Sequence, residues 1–201
     1  MRNLIVPKRL TSTKDIIDWN SVLMSIKPKT GDFNTPGTVV ERSSGELDNK
    51  TDPTSVKLKE SYNNIMDTWT NANYDLKHIQ WYDYYPGHHF SVDIQTKFSD
   101  LVKAEPKRVF VSEVWPGRCV PYHWDVEDKE DEWLKEGRLV RYVCFMDKPK
   151  FGHVLILEDQ CFYNIAQHEV YQWDSYKSYH AGTNCGSEPY YLFHFLGVEK
   201  C

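Results

Sequence analysis

The sequence predicts a mainly β protein with flanking helices, of sandwich or jelly-roll type. Three observations predict it. From Lys107 onward, short β-type runs follow one another with turn residues between them. Stretches with helical periodicity are confined to the first half and to one charged insert. The aromatic load is 14%, with 7 Trp, 13 Tyr and 9 Phe, which suits the half-buried surface of a sheet.

The elements are expected in the following order. A first helix starts near Ser12 or Thr13, with Ile16, Trp19, Leu23 and Ile26 on one face and Asp15 in its first turn. Lys27 to Pro53 is rich in Gly, Pro, Ser, Thr and Asp and reads as a long loop. A second helix carries Leu58, Tyr62, Ile65, Met66 and Trp69. Ile79 to Tyr85 reads as a strand ending at Pro86-Gly87. Ile94, Phe98, Leu101 and Val102 mark a third helix, closed off by Pro106. Strands then follow at Arg108–Val114, Arg138–Met146, His153–Leu157, Cys161–Ile165, Glu169–Trp173 and Tyr190–Leu196. A charged helical insert, Glu127 to Glu136, interrupts them and stops at Gly137. We read one domain over 1–201, with 1–106 supporting a β core over 107–201.

Bulk properties exclude some functions. The net charge of −5 opposes a non-specific grip on nucleic acid, which needs a concentrated basic surface. No apolar run reaches membrane-spanning length, and Leu4-Ile5-Val6 is too short for a signal-peptide core. The 5 cysteines are odd in number and form no C-x-x-C pair, which points to a reducing, cytoplasmic setting rather than a disulfide framework. Oligomeric state is not encoded in any pattern found.

The chemistry concentrates in His123-Trp124-Asp125 and His180. Side chains alternate along a strand, so His123 and Asp125 can face the same way and offer two ligands to one ion. His180, from a neighbouring strand, would complete two imidazoles and one carboxylate. That set suits ferrous iron and leaves its other face open. An H-x-D triplet alone is a weak signal, since a surface or packed histidine gives the same letters. Its context strengthens it: it follows a Pro-Gly turn, and His180-Ala181-Gly182-Thr183-Asn184 lies between two strand-like runs.

Val114-Trp115-Pro116-Gly117 through His123-Trp124-Asp125 resembles the first metal motif of the 2-oxoglutarate- and Fe(II)-dependent dioxygenases, in the prolyl-hydroxylase-like branch common in bacteria and phages. Gly152-His153-Val154-Leu155-Ile156-Leu157 resembles that branch's glycine-led strand, and Tyr179-His180-Ala181-Gly182-Thr183-Asn184 its distal-histidine motif. The similarity covers roughly Arg108 to Gly197. It implies a double-stranded β-helix, cupin-like in outline, with Fe(II) on His123, Asp125 and His180 and 2-oxoglutarate as cosubstrate. It implies a cytoplasmic enzyme, in the host cell if phage-encoded.

One departure matters. The resemblance expects an arginine after the distal histidine to pair with the far carboxylate of 2-oxoglutarate, and Tyr190 and Tyr191 stand there instead. Arg141 or Arg138 could supply the cation. They face opposite sides of a regular strand, so at most one points inward, and Arg141 is preferred. Tyr122, Tyr190 and His194 could add neutral hydrogen bonds, as could Tyr142. If no cation reaches the pocket, the chain would instead be a jelly-roll binding module or a cupin-type metal protein that has lost the anchor. The substrate, a small molecule or a peptide, is not readable. His88, His89, His153 and His168 read as solvated or packed imidazoles. The insert reads as a wet helix face or a substrate lid.

Overall fold

The computed structural model describes residues 8–26, 39–40, 79–84, 92–125, 127, 129–163, 165–173 and 177–199. The proposed second helix, most of the 27–53 loop and His88-His89 lie outside the described residues. So do the side chains of Arg118, Val120, Pro121 and His123.

Among the described residues, eleven strands make two sheets. In chain order they are β1 (Lys8–Ser12), β2 (Val39–Val40), β3 (Ile79–Tyr84), β4 (Ala104–Val114), β5 (Arg118–His123), β6 (Arg138–Phe145), β7 (His153–Leu157), β8 (Gln160–Phe162), β9 (Glu169–Trp173), β10 (His180–Asn184) and β11 (Tyr190–Glu199). The large sheet runs β1-β9-β6-β11-β4-β3-β2, and the small one β5-β10-β7-β8. From β4 to β11, successive strands enter the large and small sheets in the pattern of a double-stranded β-helix. Strands from the first half of the chain extend the large sheet at both edges. Three helices, α1 (Trp19–Ile26), α2 (Val92–Val102) and α3 (Glu130–Glu136), are described, and none is long and apolar enough to cross a membrane.

Local chemistry shifts several expected boundaries. Lys8–Ser12 pairs with β9 rather than starting a helix. Asp15 at φ 66 turns the chain, and α1 begins only after Asp18, whose carboxylate accepts the backbone N–H of Ser21 at 3.2 Å as an N-cap. Lys103, at φ 59, ends α2, so Pro106 lies inside β4 and not at a helix stop. Proline has no N–H for the ladder, and the β4–β11 register shifts beside it, between Leu196 and Gly197. The insert helix starts at Glu130, not Glu127.

Alternation on β11 divides the core. Tyr191, Phe193 and Phe195 face α1 and α2, packing with Trp19, Phe98, Val111 and Tyr142. Tyr190 and Leu192 face the small sheet, packing with Val143, Phe145, Leu155, Leu157 and Trp173. A third cluster joins Trp133 of α3 to Leu139, Leu196 and Val198 and closes one end of the barrel. The insert is therefore pinned to the barrel through Trp133, whatever its polar face does.

Candidate functional site

Between these two inter-sheet clusters the alternation changes character. On β6, Arg141 lies between Leu139 and Val143; on β11, His194 lies between Leu192 and Leu196; on β4, Ser112 lies between Phe110 and Val114. All three polar residues are buried, which makes a polar belt inside an otherwise apolar barrel. Burying such groups is costly unless they are paired or used, so the belt marks a site.

His180 begins β10 directly opposite His123, the last residue of β5. The His180 ring is fixed from behind: Nδ1 lies 3.1 Å from the carbonyl of Ser178. A carbonyl only accepts, so Nδ1 carries the proton and Nε2 presents its lone pair. That Nε2 is 3.6 Å from Oδ2 of Asp125. Ligand bonds of about 2.1 Å to one ion hold neighbouring ligand atoms about 3.0–3.6 Å apart, so this pair fits a shared cation. Trp173 covers the ring, with centroids 5.4 Å apart. Asp125 lies past the end of β5, in the segment entering the insert, and not on the strand itself. Among the described residues no three His, Cys, Asp or Glu side chains converge on one point, and the His123 ring is outside the described set.

Arg141 is fully buried and reaches the same carboxylate: its Nη1 is 2.6 Å from Oδ2 of Asp125. Its Nη2 donates to Oε1 of Glu127 at 3.1 Å. Arg108 donates to both oxygens of Glu127, at 3.2 Å each. Two guanidiniums and two carboxylates thus neutralise one another inside the barrel. Burial pushes the Glu127 carboxyl upward, and the flanking arginines pull it back only in part. His194 stacks on Phe110 with centroids 4.2 Å apart, and its Nε2 is 2.9 Å from the Ser112 hydroxyl. Its Nδ1 is buried with no hydrogen-bond partner among the described residues. Burial, then the cationic field of Arg141, holds this imidazole well below the ordinary histidine range, hence neutral.

The candidates therefore separate. Arg141 points inward. Arg138 is on the surface, its side chain 52% exposed and paired with Glu199, so it is withdrawn as a pocket residue. Tyr122 is also on the outer face: it is 51% exposed, stacks on Tyr179 and donates to the Glu158 carbonyl at 3.0 Å. It is corrected to a surface residue, held there by the Tyr179 stack and the Glu158 carbonyl. Tyr142 faces the helices and donates to Glu199. Tyr190 is buried inside the barrel, its hydroxyl so close to the Cα of Gly182 that any side chain there would meet it. His153 is structural. Its Nδ1 accepts from the Lys150 N–H at 3.1 Å, and Nε2 donates to the Glu188 carbonyl at 3.0 Å.

Sequence reasoning missed Glu127, Arg108 and Ser112. Glu127 was hidden in a charge run, although it continues the two-residue step of His123 and Asp125. Arg108 and Ser112 share the inward face of β4 with Phe110, and their polarity at those alternate positions was the available signal.

No protein-family model matches the chain, and no curated protein does. Solved structures with similar folds include the viral collagen prolyl hydroxylase of Paramecium Bursaria Chlorella virus-1, in its 2OG complex. It is 16% identical with TM-score 0.45, over 72% of this chain and 90% of that one. A Pseudomonas putida prolyl-4-hydroxylase is 12% identical with TM-score 0.42, over 60% and 72%. The Schizosaccharomyces pombe Cnp3 cupin domain is 13% identical with TM-score 0.33, and this chain spans 55% of its length. Likenesses at this level carry no functional argument, and the architecture rests on strand order and register. The chain is a mainly β protein with flanking helices, a jelly roll of the double-stranded β-helix kind.

Proposed function

We propose that the protein is an Fe(II)- and 2-oxoglutarate-dependent dioxygenase of the prolyl-hydroxylase-like branch, with the metal on His123, Asp125 and His180. The observation that carries this reading is the pairing of His180 with His123 across β10 and β5, with Asp125 3.6 Å from the His180 nitrogen. Bound there, ferrous iron supplies the dioxygen chemistry that protein side chains lack. The chain's own residues do the rest. Ser178 orients His180. Arg141, whose Nε has no hydrogen-bond acceptor among the described residues and whose Nη1 is ion-paired with Asp125, offers a cation to a carboxylate in the barrel. His194, in the field of Arg141, adds a neutral imidazole, whereas Tyr190 packs farther along β11 against Phe145 and His153. Apolar clusters flank the belt on either side. The substrate is proposed to be a small molecule or a peptide, met in a reducing cytoplasm.

The test is conversion of 2-oxoglutarate to succinate by purified protein, with and without ferrous iron. Turnover only with iron is expected; no turnover across a panel of candidate small molecules and peptides would contradict the reading. A second reading is supported by two observations: Arg141 already faces Asp125 and Glu127, and tyrosine stands at the expected anchor. The barrel would then be a binding module without the cosubstrate. Anaerobic addition of 2-oxoglutarate to the Fe(II) form separates the two, since only the enzyme develops a visible charge-transfer band.

A further inference from the structure

Arg141 stands where it can oppose the metal. Its Nη1 contacts the same oxygen, Asp125 Oδ2, that faces His180 Nε2. That 2.6 Å contact lacks the alignment of a hydrogen bond, whereas the Nη2 bond to Glu127 has it. The guanidinium therefore has two seats, one shared with the ion site and one on Glu127, shared with Arg108. Glu127 is fully enclosed and tied down by Arg108, so its seat persists when the other is lost.

We infer that Arg141 is an internal counter-ion. It neutralises Asp125 in the metal-free barrel and yields that oxygen to a divalent cation while Glu127 retains it. This rests on the metal reading proposed above. Two consequences follow from charge alone. A buried guanidinium beside a divalent cation weakens the metal's binding, because the like charges repel strongly in a desolvated site. Once released from Asp125, the donors Nε and Nη1 favour an incoming carboxylate, so cation and carboxylate ligand tighten each other reciprocally. Glu127 is thus a positioning residue, acting through Arg141 and touching no ligand itself.

The test uses Mn²⁺ as probe and the loss of its free electron paramagnetic resonance signal as readout, with no turnover required. Arg141→Gln is expected to bind Mn²⁺ about tenfold more tightly than the parent chain, an increase of about 1.4 kcal/mol. Arg141→Lys, which keeps the charge but loses the fork, should stay within about threefold of the parent. In the unaltered protein, saturating succinate, which has the carboxylates but no chelating keto acid, is expected to tighten Mn²⁺ several-fold after correction for Mn²⁺–succinate in solution. The succinate measurement stands even if Arg141→Gln does not fold. Unchanged or weaker Mn²⁺ binding in Arg141→Gln would overturn the counter-ion role, and so would the absence of a succinate effect. Failure of the parent chain to bind Mn²⁺ at all would instead remove the metal reading, and this inference with it.

Discussion

At the scale of single residues, the site is a problem of buried charge. Asp125, Glu127, Arg108 and Arg141 could not be enclosed singly; together they cancel, and the barrel tolerates them. His194 is enclosed without a counter-ion of its own, so it stays neutral. This has a pH consequence. A histidine whose folded value is depressed contributes stability above its ordinary value, about 6.5, and loses it as pH falls, because the unfolded chain takes the proton first. The metal-free protein should therefore lose stability on acidification from about pH 6.5, at up to about 1.4 kcal/mol per unit from this residue. In His194→Phe, which keeps the stack on Phe110, the slope of denaturation midpoint against pH should be shallower. An identical slope in the variant would show that His194 is not held neutral by the fold.

At the scale of elements, strand register does the positioning. β10 lies between β5 and β7, so one strand sets His180 against His123 on one side and Leu157 on the other. The entry to β7 is fixed by Gly152, at φ 93, whose missing side chain lets the backbone of Gly186 lie against it. The Gly152 carbonyl accepts the Cys185 N–H at 2.8 Å, which ties the far end of β10 to the start of β7. Gly152→Ala combines backbone strain with overlap onto Gly186, and should cost about 2 kcal/mol or more in chemical denaturation. A midpoint equal to that of the parent would mean that this close approach is not what anchors the two strands. The same scale explains what was legible in the sequence. Runs such as His153–Leu157 and Glu169–Trp173 were recoverable because each is short and rich in β-branched, aliphatic or aromatic residues. β1 was not, because Lys8–Ser12 is polar and extended only through its pairing with β9. Pro106 was misplaced because a proline that stops a helix and one that sits at a strand bulge look alike locally.

At the scale of the whole molecule, two distant segments meet because the chain winds alternately between sheets. The candidate ligands were legible as residue types with suggestive neighbours, and so was the preference for Arg141 over Arg138, since two residues three apart on a strand face opposite ways. Their environment was not legible. That Glu127 would turn inward, or that Tyr122 would stack outside on Tyr179, depends on where α3 and β10 close over the barrel. The apolar clusters to either side of the belt give it low polarity, so each charge within it counts for more than at the surface. The claim on which the rest depends is that His123, Asp125 and His180 hold one metal ion. Anaerobic equilibrium dialysis of Fe(II) against the parent chain and His123→Ala tests it most directly. One ion per parent chain, lost in a variant that remains folded, is the expected result; undiminished iron in His123→Ala, or none in the parent, would contradict it.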